Sequence, residues 1–338
     1  MTIFSEISSL DDIARLVERM PHADAEAEDA ARGRQMSLTK PPGALGRLED
    51  LAIFLAGWQS TQHPKIDNAQ ALVFAGNHGV CAQGVNPFPQ EVTHQMVLNF
   101  TAGGAAINQL CRATGADLAV IALELDRPTA DITEAPAMSE KDTLDAMRRG
   151  AEAVSRDADV LVLGEMGIGN STIAAALACG AFGGEPRAWV GRGTGSDDAG
   201  VTLKADVVDR AATLHQGARG LELLAKMGGR EQAAICGAVL QARFERMPVI
   251  LDGFICTAAV APLFDLAPET LDHCLVGHSS REPGHAKLLE AMNKDPILAL
   301  DMALGEGSGA ALALGILRAA IECHNGMATF AEAGVAGG

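Results

Sequence analysis

Two glutamates occur in glycine-rich, apolar stretches where an acidic side chain is unexpected. Glu165 lies in "GEMGIGNST", and Glu306 lies in "LGEGSGA", just before an apolar helical run that begins at Ser308. Burial raises the pKa of a carboxylate whereas a nearby helix N-terminus lowers it, so such a group can be ionised and still accept a proton. Alternatively, Glu306 caps the helix that follows. The residues alone leave both interpretations open.

The stretch "GEMGIGNST" also has the composition of an anion-binding loop. Its glycines let backbone N–H groups turn toward a ligand, and the helix that follows adds its positive end. The alternative is an ordinary strand-to-helix turn with a serine or threonine cap. Similar loops, "GRGTGS" and "GHSSREPGH", occur later in the chain. Lys204, at the head of a long helix, is the cation we expect to reach a phosphate; otherwise it is a solvated surface lysine.

Common cofactor and metal motifs fit the chain poorly. No GxxxxGK[ST] loop is present, so a P-loop nucleotidase is not favoured. The stretch "GEGSGA" matches the GxGxxA form of the dinucleotide fingerprint but follows no clear strand, which leaves an NAD-linked oxidoreductase as an alternative. His278, Glu282 and His285 could be drawn as a metal site, but Pro283 and Gly284 remove the helical face that HExxH requires. His78, in "GNHG", is expected to fix a loop or stack near a ligand.

Composition and charge restrict the partners. The 338 residues are 48% hydrophobic and 20% charged, with a net charge of -17. Nucleic acids and anionic membranes bind proteins mainly through Lys and Arg, so neither is an expected partner.

Seven cysteines occur without a CxxC pair, which favours reduced thiols. The N-terminal stretch lacks the pattern of a signal peptide. We therefore expect a cytoplasmic protein.

The elements that must position these residues alternate along the chain. Six short apolar runs, separated by helical periods, predict strands: "ALVFAG", "DLAVIALEL", "DVLVLGEMG", "AWVG", "MPVILDGF" and "HCLVGHSS". Strands that are apolar on both faces and separated by helices indicate an α/β fold, with a mainly parallel sheet covered by helices on both sides. Residues 203–227 are predicted to form one helix. Residues 1–65 are expected to form a smaller helical lobe, joined by part of the C-terminal segment, and residues 66–338 the large α/β domain.

The unusual loops follow the predicted strands, and ligands bind beyond the carboxyl ends of such strands. Six blocks resemble those of the nicotinate-nucleotide:dimethylbenzimidazole phosphoribosyltransferase family: "KPPGALGRLE", "AGNHGV", "GEMGIGNST", "LDGFICTAA", "GHSSREPG" and "MALGEGSGAAL". The resemblance runs in order from about Lys40 to Ala320. It implies transfer of phosphoribosyl from nicotinate mononucleotide to 5,6-dimethylbenzimidazole, with inversion at the anomeric carbon. It also implies a doubly wound, Rossmann-like large domain, a small helical domain, and a homodimer that needs no metal and no cofactor.

The resemblance assigns roles residue by residue. Glu306 corresponds to the general base, and Glu165 to a second active-site glutamate that orients the substrates. The implied phosphate and ribose contacts are Gly167, Ile168, Gly169, Asn170, Lys204, Ser279 and Ser280, and the implied base contacts are Phe88, Met96 and Leu304. One departure is Asn77, where the family usually carries Asp. Related azoles or purines as acceptors, and binding without turnover, remain alternatives.

Overall fold

The fold is built on a parallel sheet with helices on both faces. The computed structural model describes residues 2–193 and 195–336. Within them, all strand pairs are parallel and the spatial order is β2-β1-β3-β4-β5-β6. The strands are β1 (Ala69–Ala75), β2 (Ala116–Ala122), β3 (Val160–Met166), β4 (Val249–Leu251), β5 (Cys274–His278) and β6 (Pro296–Leu298). The predicted parallel, doubly wound α/β fold is confirmed.

Two details of the strand prediction are wrong. The run "AWVG" forms no strand, because Trp189 is fully buried outside the sheet and its Nε1 donates to the Gly183 carbonyl. The prediction missed β6, which is three residues long, begins at Pro296 and lies at the edge of the sheet. Proline is tolerated on an edge strand because one side needs no ladder hydrogen bond, but its presence weakens the sequence signal.

Helices connect the strands and cover the sheet. The α-helices of the described residues are α1 (Leu10–Leu16), α2 (Ala25–Ser37), α3 (Arg47–Gln59), α4 (Glu91–Thr101), α5 (Ala106–Thr114), α6 (Glu140–Ala153), α7 (Asn170–Phe182), α8 (Asp198–Leu214), α9 (Gly220–Met227), α10 (Arg230–Phe244), α11 (Phe254–Ala259), α12 (Ala261–Leu266), α13 (Pro283–Ala291), α14 (Ser308–Gly326) and α15 (Phe330–Ala333). The predicted single helix over residues 203–227 is wrong, because the chain breaks between α8 and α9, where Gly217 has a left-handed φ of +88°.

The strands are apolar throughout because both faces of the sheet are buried. On one face Leu72 and Phe74 of β1 join a large core cluster with α6, α7 and α10. On the other face Val73 joins a second cluster with α3, α5 and α14. Alternate side chains of one strand therefore enter different cores, which gives the continuous hydrophobic runs seen in the sequence.

The N-terminal helices contact the end of α14. Arg34 Nε donates to the His324 carbonyl at 2.7 Å, and Gln35 pairs with the His324 ring at 2.8 Å. Leu38 forms an antiparallel bridge with Thr329. The division into a lobe of residues 1–65 and a domain of residues 66–338 stays a prediction. Among the described helices, none is both long enough and apolar enough to cross a membrane.

Candidate active site

A cleft opens at the carboxyl edge of the sheet, beside β3, β4 and β5. Between β1 and β3 the chain changes the direction in which it adds strands, and ligands bind at such a switch point in open α/β sheets. The cleft is lined by all but one of the residues assigned from the sequence: Phe88, Met96, Glu165, Gly167, Ile168, Gly169, Asn170, Lys204, Ser280, Leu304 and Glu306. Segments from distant parts of the chain thus share one cavity.

Glu306 lies in a left-handed loop at the start of α14. Gly305, Glu306 and Gly307 have φ values of +84°, +65° and +84°. A left-handed glutamate is strained, and such strain is concentrated at functional sites. The side chain is buried and its Oε2 has no hydrogen-bond partner among the described residues. Burial, and secondarily the charge of Asp252, raise the pKa of Glu306 to about 7.

The cap of α14 is Asp252, which follows β4. Its Oδ2 accepts a hydrogen bond from the Gly307 N–H at 3.1 Å, and its Oδ1 accepts one from the Ala310 N–H at 2.9 Å. The N-cap residue of α14 is Gly307, and no hydrogen bond between the Glu306 carboxylate and this helix is present among the described residues. The alternative interpretation of Glu306 as a helix cap is therefore wrong. Its carboxylate is free to face the cleft.

Glu165 is the second buried carboxylate in the cleft. It lies near the end of β3 and its Oε2 accepts a hydrogen bond from Asn170 Nδ2. Burial raises its pKa to about 8, with further contributions from Asp252 and then Glu231. A side chain at Gly305 would come within 2.6 Å of Glu165 Oε1. The two glutamates are therefore neighbours, and the left-handed φ of +84° favours glycine at position 305.

The glycine-rich loop before α7 forms the opposite end of the cleft. Gly169 has a left-handed φ of +91°, and α7 begins at Asn170. The Ile168 N–H donates to Thr93 Oγ1 at 3.1 Å, and the Asn170 N–H donates to the Gly167 carbonyl at 3.2 Å. Two of the four N–H groups expected to bind phosphate therefore already have partners within the protein. These bonds fix the shape of the loop.

Lys204 reaches this end of the cleft from α8. It is only 3% exposed, so its interpretation as a solvated surface lysine is wrong. Its Nζ donates to Ser171 Oγ and to the Gly191 carbonyl, both at 3.4 Å, and burial lowers its pKa. Glu282 Oε1 accepts from the Gly193 N–H at 2.9 Å nearby. A buried ammonium with long, weak hydrogen bonds is suited to an anionic ligand.

Apolar side chains form the mouth of the cleft. Phe88 and Leu304 are 46% and 54% exposed, which is unusual for large hydrophobic residues, and Met96 of α4 lies half-buried beside them. Exposed apolar groups around a concave site provide a surface for a flat, apolar ligand. The three residues assigned to base binding therefore lie together.

Two groups of the site were not identified from the sequence. Asp252 lines the cleft, and so does His278, which the sequence suggested only as a metal ligand. Behind the glycine-rich loop, His78 pairs with Glu231 at 2.9 Å, and neither side chain is exposed. The motif "DGF" after a predicted strand was the available signal for Asp252. Glu231, inside an ordinary helical pattern, gave no signal.

The three residues that could be drawn as metal ligands have separate partners. His278 Nε2 lies 3.5 Å from Asp252 Oδ1. Glu282 binds the Gly193 N–H, while His285 Nδ1 accepts from the Ser280 N–H at 2.9 Å. Burial lowers the pKa of His285 to about 3. Across the described residues, no group of three or more His, Cys, Asp and Glu side chains is arranged to hold a metal ion.

Two further residues lie away from the cleft lining. Ser279 does not line the cleft, and its N–H donates to the Leu298 carbonyl at 2.7 Å next to β6. Asn77 is also outside the lining, and its Nδ2 donates to the Leu125 carbonyl at 2.9 Å. A charge at position 77 would therefore not face the ligand directly.

The family model described as "Phosphoribosyltransferase" matches residues 20–335 and places the chain among the phosphoribosyltransferases. The nicotinate-nucleotide–dimethylbenzimidazole phosphoribosyltransferase of Rhodobacter capsulatus is 62% identical over 330 residues, covering 98% of this chain and 99% of the relative. The enzyme of the same name from Roseobacter denitrificans is 57% identical over 335 residues, covering 98% of both chains. The chain belongs to the nicotinate-nucleotide–dimethylbenzimidazole phosphoribosyltransferase family.

Solved structures agree with this assignment. A crystal structure of CobT from Thermus thermophilus matches with a TM-score of 0.86 and 44% identity, covering 93% of this chain and 100% of that chain. The predicted family is confirmed. The oxidoreductase alternative is wrong, since "GEGSGA" belongs to the Glu306 loop of a transferase and lies well beyond the end of β6.

Proposed function

We propose that this protein transfers the phosphoribosyl group of nicotinate mononucleotide to 5,6-dimethylbenzimidazole, releasing nicotinate and forming α-ribazole 5'-phosphate. The names of its relatives support both substrates. The observation that carries the proposal is the Glu306 carboxylate, buried and with its Oε2 unpartnered among the described residues, in one cleft with Lys204 and a glycine-rich loop. One end of the cleft suits a phosphate and the other suits proton transfer.

In the proposed reaction, Glu306 is the general base. The unprotonated ring nitrogen of dimethylbenzimidazole attacks the anomeric carbon with its lone pair, from the face opposite nicotinate. The bond to the pyridinium nitrogen breaks, and its electron pair neutralises that nitrogen, so the leaving group needs no metal. The other ring nitrogen of the acceptor then gives its proton to Glu306. A pKa raised to about 7 makes this carboxylate a competent acceptor near neutral pH.

Glu165 is proposed to orient the substrates. Its Oε2 is held by Asn170 Nδ2, which places the carboxyl group between the glycine-rich loop and the Glu306 loop. Because burial raises its pKa to about 8, Glu165 is mostly protonated at pH 7 and can donate a hydrogen bond to a ribose oxygen. The two glutamates then take different roles through their surroundings.

Binding of the phosphate is assigned to Lys204, Ser280 and the loop Gly167–Asn170. Lys204 is the buried cation of this end, and α7 presents its positive end to the same space. The bicyclic base is assigned to the apolar mouth formed by Phe88, Met96 and Leu304. Apolar contacts recognise shape more than hydrogen-bonding pattern, so benzimidazole and other azoles are candidate acceptors as well.

The proposal is tested by incubating purified protein with nicotinate mononucleotide and dimethylbenzimidazole and following both products by chromatography. We expect equal amounts of nicotinate and α-ribazole 5'-phosphate. Benzimidazole and adenine are run in parallel to rank acceptors. Absence of nicotinate release with every base would overturn the proposal, and tight binding without turnover, measured by calorimetry, would favour a binding protein.

We also propose a cytoplasmic homodimer. Large apolar side chains remain exposed on the single chain, including Leu98 of α4 and Leu300, at 57% and 56%. Exposed apolar side chains of this size are available for contact with a second copy of the chain. Light scattering coupled to gel filtration should give twice the mass of one chain; a mass of one chain would contradict the dimer.

A further inference from the structure

Asp252 contacts the loop that carries Glu306 without being assigned to the reaction. We infer that Asp252 is a positioning residue for Glu306: it anchors the strained loop Gly305–Gly307 to α14 and sets the electrostatic surroundings of the base. The inference rests on the proposed role of Glu306. Asp252 comes from β4, whereas the loop lies more than 50 residues later in the chain.

The hydrogen bonds of Asp252 reach both sides of the boundary between loop and helix. One carboxylate oxygen accepts from Gly307, inside the loop, and the other accepts from Ala310, in the first turn of α14. Asp252 is 1% exposed, and His278 Nε2 lies 3.5 Å from its Oδ1. The side chain therefore links the loop, the helix and β5 through one buried group.

The loop is pressed against Asp252 from the opposite side. At Gly164 of β3, a side chain would come within 2.5 Å of the Gly307 nitrogen and 2.6 Å of the Glu306 carbonyl oxygen. Backbone in a left-handed conformation persists at a non-glycine residue only where the surroundings impose it. Here β3 supplies the steric wall and Asp252 supplies the hydrogen bonds. Removing the bonds should let the loop relax and Glu306 move.

Asp252 also places a negative charge near the base. The titratable groups around Glu306 are Asp252 after β4, Glu165 from β3, and His278 from β5, which faces Asp252; Lys204 and Glu282 also line the cleft. Burial raises the pKa of Asp252, but His278 and the N–H donors oppose this rise. Because both oxygens accept hydrogen bonds from N–H groups, protonating either oxygen would break one of them. These hydrogen bonds stabilise the ionised form against the burial that raises the pKa of Asp252.

Two consequences separate this role from a purely structural one. Replacing Asp252 by asparagine keeps its size but removes its charge, so the pKa of Glu306 should fall, and the acid limb of the kcat/KM profile should move down by about one pH unit. The loop also loses one anchor, so kcat at the pH optimum should fall about tenfold or more. A general structural defect would lower kcat/KM, but it would not move the acid limb of the pH profile to lower pH.

The experiment measures pH profiles of phosphoribosyl transfer, from about pH 5 to about pH 9, for the wild type and four variants. Asp252→Asn is the test, and Asp252→Glu retains the charge, so its acid limb should stay at the wild-type position. Asp206→Asn, an exposed change on α8, is the matched control. Glu306→Gln reports on the base itself, and circular dichroism checks that each variant is folded.

The outcomes separate the inference from the proposed function. If Glu306→Gln keeps the wild-type rate and the wild-type acid limb of the pH profile, the assignment of Glu306 as the general base is wrong. If Glu306→Gln loses the limb but Asp252→Asn leaves it in place, Asp252 does not tune the base and the inference fails alone. If Asp252→Asn does not fold, Asp252→Ser repeats the test, because its hydroxyl still accepts a hydrogen bond without charge. Failure of both to fold would make Asp252 a stability residue and would also overturn the inference.

Discussion

The two ends of the cleft differ in how their polar groups are satisfied. At the phosphate end, the Ile168 N–H donates to Thr93 and Lys204 donates to Ser171, so these groups are already held in place. The other end, which contains Glu165 and Glu306, is the acid end. There Glu306 Oε2 has no hydrogen-bond partner among the described residues, and the pKa of Glu306 is raised. Prearranged hydrogen bonds favour binding, whereas an unsatisfied, desolvated carboxylate favours proton transfer. The difference assigns binding to one end and chemistry to the other.

The largest effect is expected from Glu306→Gln, which removes the proton acceptor at the acid end. The rate constant kcat should fall by about 10² or more, because the amide cannot take the proton. KM for nicotinate mononucleotide should change by less than about threefold, because its phosphate binds at the other end. Steady-state kinetics measure both. Glu322→Gln, an exposed change on α14, is the control and should match the wild type. A KM that rises by as large a factor as kcat falls would contradict the assignment of proton transfer and nucleotide binding to different ends of the cleft.

The next effect tests the phosphate end. Lys204→Met keeps a long side chain but removes the charge, so kcat/KM for nicotinate mononucleotide should fall about 30-fold, corresponding to about 2 kcal/mol. With nicotinate riboside, which lacks the phosphate, the variant and the wild type should react at similar rates. Lys141→Met on the surface of α6 is the control. A large loss with the riboside would place Lys204 in the chemistry instead.

A smaller effect concerns stability at the acid end. Because the folded pKa of Glu165 is about 8 and its ordinary value is 4.5, the folded protein keeps a proton that the unfolded chain releases. Stability from this group is therefore complete below about pH 4.5 and is lost as pH rises through 8. Glu165→Gln should be more stable than the wild type by about 2 to 4 kcal/mol at about pH 9, and nearly equal at about pH 4.5. Urea unfolding at both pH values measures this. Equal stability at the alkaline pH would contradict the raised pKa.

The smallest effect is expected outside both ends. Asn77→Asp introduces the residue that the sequence resemblance implies at this position, but Asn77 does not line the cleft, so kcat/KM should stay within about twofold. The aspartate cannot donate to the Leu125 carbonyl, so the free energy of unfolding should fall by about 1 kcal/mol. Activity assays and thermal unfolding measure the two effects. A tenfold change in activity would link this position to the cleft.

Much of the site could be predicted because its residues stand in unusual local contexts. Glu165 and Glu306 are acids among glycines, and the run before Glu165 is apolar enough to indicate a buried strand. Local patterns reveal such residues because strand burial and left-handed backbone both restrict the residue types that fit. The short edge strand β6 and the break after α8 were missed or misplaced, since tertiary packing overrides local propensity there.

The amino-acid sequence by itself determined the α/β class, the parallel sheet and the family, because hydrophobic periodicity and ordered motif blocks are written along the chain. Only the tertiary structure decided that Asp252 and not Glu306 caps α14, that Lys204 is buried, and that His78 pairs with Glu231. These facts depend on which distant segments meet. The partners of a buried group, which help to set the pKa of a carboxylate, are properties of the folded neighbourhood.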